Sequence, residues 1–96
     1  MVTAAAKEAL EIKNLPNPPG LQIVEVVAED YTDSTGDPAL RVTVILDESV
    51  DAEKISGKAV SDLKFAILEN LRQRGIDLFP YVFLATRSEL AETDED

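Results

Sequence analysis

A chain of 96 residues with neither cysteine nor histidine has to hold itself together by burying apolar side chains. Domains of this length lie near the lower end of what folds without disulfides or metals, so the apolar residues must meet in one core. The hydrophobic content of 45% suffices for that and marks a foldable domain rather than a disordered acidic segment. The same two absences remove an imidazole base, a thiolate nucleophile and the soft ligands of zinc. They fix no redox compartment, because oxidising and reducing locations both tolerate a cysteine-free chain.

Charge narrows the range of partners. Nineteen acidic against nine basic side chains leave a formal charge of -10, which repels a phosphate backbone. The stretch from Met1 to Glu8 lacks the basic start and apolar run of a signal peptide. No apolar run approaches the roughly 18 residues of a membrane span. The expectation is a cytoplasmic protein with neither nucleic acid nor membrane as a partner.

Three segments follow from the patterning. Residues 1–20 form an N-terminal helix and a proline-rich connector. Thr3 to Leu15 reads as a short helix, with Thr3 as a cap and Ala6, Ala9, Leu10 and Ile12 as a thin apolar face. Pro16-Asn17-Pro18-Pro19-Gly20 stops it, since prolines deny backbone donors and favour an extended chain. Residues 21–87 hold the core domain, and residues 88–96 an acidic tail that is expected to be mobile.

Within the core domain, Leu21 to Tyr31 reads as a first strand, apolar on both faces: Leu21, Ile23 and Val27 on one, Val24, Val26 and Ala28 on the other. The turn-forming stretch from Thr32 to Pro38 separates it from a second strand, Ala39 to Asp47. There Leu40, Val42, Val44 and Leu46 alternate with a more polar set, as in a half-buried strand. A long helix lies between Asp51 and Arg74, with Ile55, Ala59, Val60, Leu63, Ala66, Ile67 and Leu71 on one face. Gly57 weakens its start, so Ser56 is expected to cap a restart, and Gly75 to end it. Leu78 to Thr86 is a third strand, whose Pro80 belongs at an edge or a strand end.

The predicted fold is therefore α+β: a small two-layer domain of α-β-β-α-β order, half-ferredoxin-like or KH-like. One long helix covers one face of a three-stranded mixed sheet. Strands one and two form an antiparallel hairpin, and the helical crossover makes strands two and three parallel. The simplest arrangement places strand one in the middle, order 2-1-3.

Most motifs that suggest chemistry have a plainer structural reading. The loop from Glu29 to Asp37 carries four carboxylates and offers oxygens to Ca²⁺, but it lacks the spacing of an EF-hand, and a solvated turn explains the same letters. Gly57-Lys58-Ala59 resembles the end of a P-loop without its upstream glycine or its Ser/Thr. The pairs Ser61/Lys64 and Ser56/Lys58 would need a buried lysine to act as base, and these lysines lie near the polar face. Asp47-Glu48 and Asp51-Glu53 suit the positive end of a helix dipole. No catalytic, cofactor or metal residue is expected.

Two features point to a protein partner. Phe65, Leu68 and Arg72 share helical spacing away from the core stripe, with the composition of an interface centre. On strand three, Phe79, Tyr81, Phe83 and Ala85 occupy one face and Val82 and Leu84 the other. One helix cannot cover both sheet faces, so the N-terminal helix, a second copy or another protein must cover the second. The expected interface residues are Phe65, Leu68, Arg72, Tyr81, Val82 and Leu84. The expectation is a small acidic protein-interaction module that associates with itself or with another protein, as an adaptor, regulator or inhibitor.

From about Leu21 to Leu90 the order of elements resembles that of KH-like domains, including bacterial ribosome-binding factors. That resemblance implies RNA binding. The G-x-x-G loop with which such domains grip RNA is missing, since Gly57 has no glycine three residues away. Lys54, Lys58 and Lys64 are interspersed with Glu53, Asp62 and Glu69 rather than gathered into a basic stripe.

Overall fold

Ser56 accepts a hydrogen bond from the Ala59 N–H at 3.1 Å and opens helix α2, Gly57–Gln73, in the computed structural model, which describes residues 3–18 and 20–93. The separate first turn expected ahead of it is a 3-10 turn at Ala52–Lys54. At the other end Gly75 adopts φ +73°, and the Ile76 and Gly75 N–H groups return to the Leu71 and Arg72 carbonyls, each at 2.9 Å. Such paired bonds satisfy the last carbonyls of a helix, and glycine takes the required left-handed conformation without a Cβ clash. Leu63, Ile67 and Leu71 are fully buried, and Ala59, Val60 and Ala66 half-buried. The stripe read from the sequence is the packed face except at Val60, which is half-buried outside the core cluster.

The sheet consists of β1 (Ile23–Thr32), β2 (Pro38–Leu46) and β3 (Phe79–Thr86). β1 pairs antiparallel with β2, and β2 pairs parallel with β3, as the hairpin and the crossover require. The expected strand order 2-1-3 is corrected: β2 lies in the centre, in the order β1-β2-β3. Charge explains why. β1 carries Glu25, Glu29 and Asp30, which an edge leaves in water, whereas β2 carries Arg41 alone and buries both faces along Val42–Leu46. Edge position also accommodates Pro80, the second residue of β3.

The strict alternation expected for β1 fails as well. A register shift between Ile23 and Glu25 puts Val24 out at 42% exposure, so Ile23 opposite Leu46 shares a face with Val26 and Ala28 opposite Val44 and Val42. A bulge of this kind inserts one residue and flips the side-chain phase.

The N-terminal segment contributes to the same core. Thr3 caps α1, Ala4–Ala9, by accepting from the Ala6 N–H at 3.2 Å, and a 3-10 turn follows at Ile12–Asn14, so the expected helix is shorter and broken. Ala6, Ala9, Leu10 and Leu15 are buried with Leu40, Val42, Val44, Leu46 and the α2 leucines. Asn70 ties the two helices together by donating to the Ala9 and Asn14 carbonyls, at 3.1 and 2.8 Å. Asn17 in the connector accepts from the Ile23 N–H at 2.8 Å, which anchors the approach to β1. α1 therefore lies with α2 on one face of the sheet and leaves the opposite face without it.

The mobile tail expected from Ser88 is corrected too. Arg87–Thr93 forms a helix, α3, started by a reciprocal cap: Glu89 accepts from the Thr86 N–H at 2.9 Å and Thr86 accepts from the Glu89 N–H at 3.3 Å. The spacing of Thr86 and Glu89 is that of a capping box. Positions 94–96 of the tail, Pro19 of the connector and the first two residues of the N-terminal reading lie outside the described residues.

Truncation of Leu63 or Ile67 to alanine is expected to cost about 2–5 kcal/mol in denaturant unfolding, the range for fully buried aliphatic side chains. A loss below about 1 kcal/mol at both positions would mean that the helix face is assigned wrongly. Asn70→Ala should cost roughly 1–2 kcal/mol and speed amide exchange in residues 4–15, whose docking it removes.

Candidate functional site

Not one of the five aromatic side chains lies in the core. Phe65 on α2 is 65% exposed, and Phe79 and Phe83 on β3 are 57% and 48% exposed. Tyr31, at the end of β1, is exposed, and Tyr81 half-buried. The period of two in β3 puts Phe79, Tyr81 and Phe83 on the face opposite the helices. There Tyr81 meets Tyr31 and Phe79 edge-on, with ring centroids 5.4 and 5.0 Å apart. Arg41, from the central strand, lies over the Phe83 ring at 5.3 Å.

Phe65 stands on the other side of the β3 edge. Between it and the strand runs a groove of about 350 Å³, lined by Lys64, Phe65, Leu68, Phe79, Pro80, Tyr81, Val82 and Phe83. Among the described residues, Lys64 is the one charged residue in that lining. Among the described residues no strand pairs beyond β3, so the groove follows a free backbone edge. A smaller hollow of about 120 Å³ continues from it past Leu68 and Phe79 to Arg72.

Of the six residues expected at an interface, Phe65, Leu68, Tyr81 and Val82 meet in the groove. Arg72 borders the adjoining hollow, exposed and 3.7 Å from Glu69. Leu84 does not join them; it packs against the core outside the groove lining. The expected set omits Phe79 and Phe83, the two most exposed aromatics of the sheet. Aromatic residues at every second position from 79 to 83 are the signal for them, and it becomes decisive once both helices are known to share the other face.

The acidic clusters close local structure instead of converging on a common point. Asp33 accepts from the Thr35 N–H and hydroxyl at 2.9 and 2.6 Å and from the Asp37 N–H at 3.0 Å. The Thr35 hydroxyl and then the Asp37 N–H hold its carboxyl below the usual range. These bonds hold the hairpin turn, with Gly36 at φ +87°. Tyr81 makes a long 3.5 Å bond to the same carboxylate, and burial first, then Asp33, pushes its phenol up. Asp47 serves the Ser49 hydroxyl and N–H in the same way, which lowers its pKa. Among the described residues, no group of three or more acidic side chains is placed to hold a metal ion.

Of the two serine–lysine pairs, Ser56/Lys58 is occupied elsewhere. Ser56 caps α2, and Lys58 pairs with Asp62 at 2.7 Å on the exposed face. Ser61 is exposed, and Lys64 borders the groove. Among the described residues no helix is long and apolar enough to cross a membrane. Comparison of the chain with protein-family models, curated proteins and solved structures finds no match.

One carboxylate ties distant elements. Glu48, after β2, accepts from the Ser88 hydroxyl and N–H at 2.7 and 3.1 Å, the causes that lower its pKa. A carboxyl depressed in the folded state stabilises it above the unfolded pKa, and that contribution is lost as pH falls through the folded value. Acidification through the lower carboxylate range is therefore expected to loosen α3 before the core, seen as faster exchange at the Ser88 amide. Glu48→Gln should show the same loosening at neutral pH. Unchanged Ser88 exchange in that variant would mean that the contact does not hold α3.

Proposed function

We propose that the protein is a small acidic protein-interaction module, cytoplasmic and self-associating, which acts as an adaptor, regulator or inhibitor through the aromatic surface at the free edge of β3. The observation that carries this reading is the exposure of all three phenylalanines of the chain, at 65, 57 and 48%, around one groove. A 96-residue chain that depends on apolar burial would be expected to place its largest apolar side chains inside. Their position on the surface leaves folding energy unused and supplies the residue type that dominates interface energetics. An arginine stacked on one ring adds another residue type enriched at interfaces.

The RNA-binding reading has less support. The net charge of -10 opposes phosphate, and α2 starts at Gly57 from a serine cap without a second glycine.

Phe65→Asp is expected to fold like the wild type, because the ring is exposed, and to lose the proteins that co-purify with the wild type from its native cell. Binding of a hydrophobic dye should fall with it. An identical set of bound proteins for both forms would overturn this reading. So would a salt-dependent shift of labelled RNA by the wild type.

A further inference from the structure

We propose that β3 pairs antiparallel with β3 of a second copy about a twofold axis at Phe83, which joins two three-stranded sheets into one of six strands. The proposal rests on the reading of the aromatic surface as a protein-interaction site and adds the occupant and its register.

The two sheet edges are built differently. β1 carries Glu25, Glu29 and Asp30 and a bulge after Ile23, devices that stop one edge from pairing with another. β3 has no charged residue from Phe79 to Thr86, and Pro80 blunts its first turn of pleat alone. Tyr81–Ala85 is thus a free, uncharged edge in a chain of net charge -10. Two such acidic chains meet there without burying a carboxylate.

The strand is also complementary to itself. An antiparallel pairing centred on Phe83 sets Phe83 against its mate, Val82 against Leu84, and Tyr81 against Ala85. On each face large meets small or apolar meets apolar, the pairs that stabilise neighbouring strands. In this register Pro80 falls outside the five paired residues. The flanking side chains extend the contact on both faces, with Phe65 above the edge and Phe79 below it. The exposed parts of the three phenylalanines amount to roughly 350 Å² per chain at about 200 Å² per residue. The edge backbone and the half-buried Tyr81, Val82 and Leu68 add to that, towards the roughly 800 Å² per partner of a standard interface. A strand that matches itself closes by a twofold axis, the commonest symmetry of small assemblies.

Light scattering across the micromolar range tests the proposal. The wild type should show a dimer mass, and the dimer should strengthen with salt as repulsion between two acidic chains is screened. Phe83→Lys and Phe83→Asp should each be monomeric with unchanged circular dichroism, and an equimolar mixture of the two should recover the dimer. In the wild type, amide exchange at residues 81–85 should slow with protein concentration while β1 is unaffected, a readout that needs no variant. A monomeric wild type, dimers that persist in each Phe83 variant alone, or a mixture that stays monomeric would each overturn the proposal. If the wild type is monomeric but still captures proteins through Phe65, the protein-interaction reading stands and the second copy is the wrong occupant.

Discussion

The structure depends on the burial of β2 from three sides. Val42 and Val44 lie at 0% exposure in one cluster with Leu63, Ile67 and Leu71 of α2, and hydrogen-bonded strands flank them on either hand. Each of these aliphatic side chains contributes about 1.5–3 kcal/mol by leaving water, and no disulfide adds to that. Everything else attaches to this clamp. α1 and its C-cap add Ala6, Ala9 and Leu10 at one border of the cluster, and β3 adds Val82 and Leu84 at another. Without the central strand, neither helix would have a surface to cover.

Packing on one side has a consequence for the other. Because α1 and α2 share a face, neither of them covers the opposite one. Ile45 and Thr43 are buried there at the centre, flanked by Glu25 and Val27 on β1 and by Ala85 and Phe83 on β3. The Glu25–Arg87 ion pair links the two margins of the sheet across the level of Ile45. An exposed pair of this kind adds little energy. Towards Phe79 and Phe83 the surface becomes aromatic and open, even with Arg41 over the Phe83 ring.

The acids of this chain act as much through hydrogen bonds as through net charge. Asp33 closes the hairpin, Asp51 accepts from the Glu53 N–H before α2, and Glu89 caps α3 while Glu48 holds it from outside. Backbone N–H groups at turns and helix starts have no partners within the element, and a nearby carboxylate supplies one. Acid-rich segments in such places close turns and caps first. That explains why the loop from Glu29 to Asp37 has the composition of a cation site without its convergence.

The sequence by itself determined what local chemistry controls. Ser56 and Gly75 bound α2, the period of Leu63, Ile67 and Leu71 sets its buried face, and Tyr31 to Ala39 turns the hairpin; each depends on residues within a few positions of one another. The capping box of Thr86 and Glu89 was equally local and was hidden only by the acidic character of the residues that follow. Strand order was not local. Hairpin and crossover rules admit either neighbour for β3, and the choice of β2 follows from which strand best tolerates losing water on both edges, a comparison between residues far apart in the chain. The interaction surface was half local: helical spacing brings Phe65 to Leu68, and alternation groups Phe79, Tyr81 and Phe83. Only tertiary packing set these two groups on either side of one free edge, because the side on which α1 docks is decided by the total apolar area it can bury, not by its own thin face.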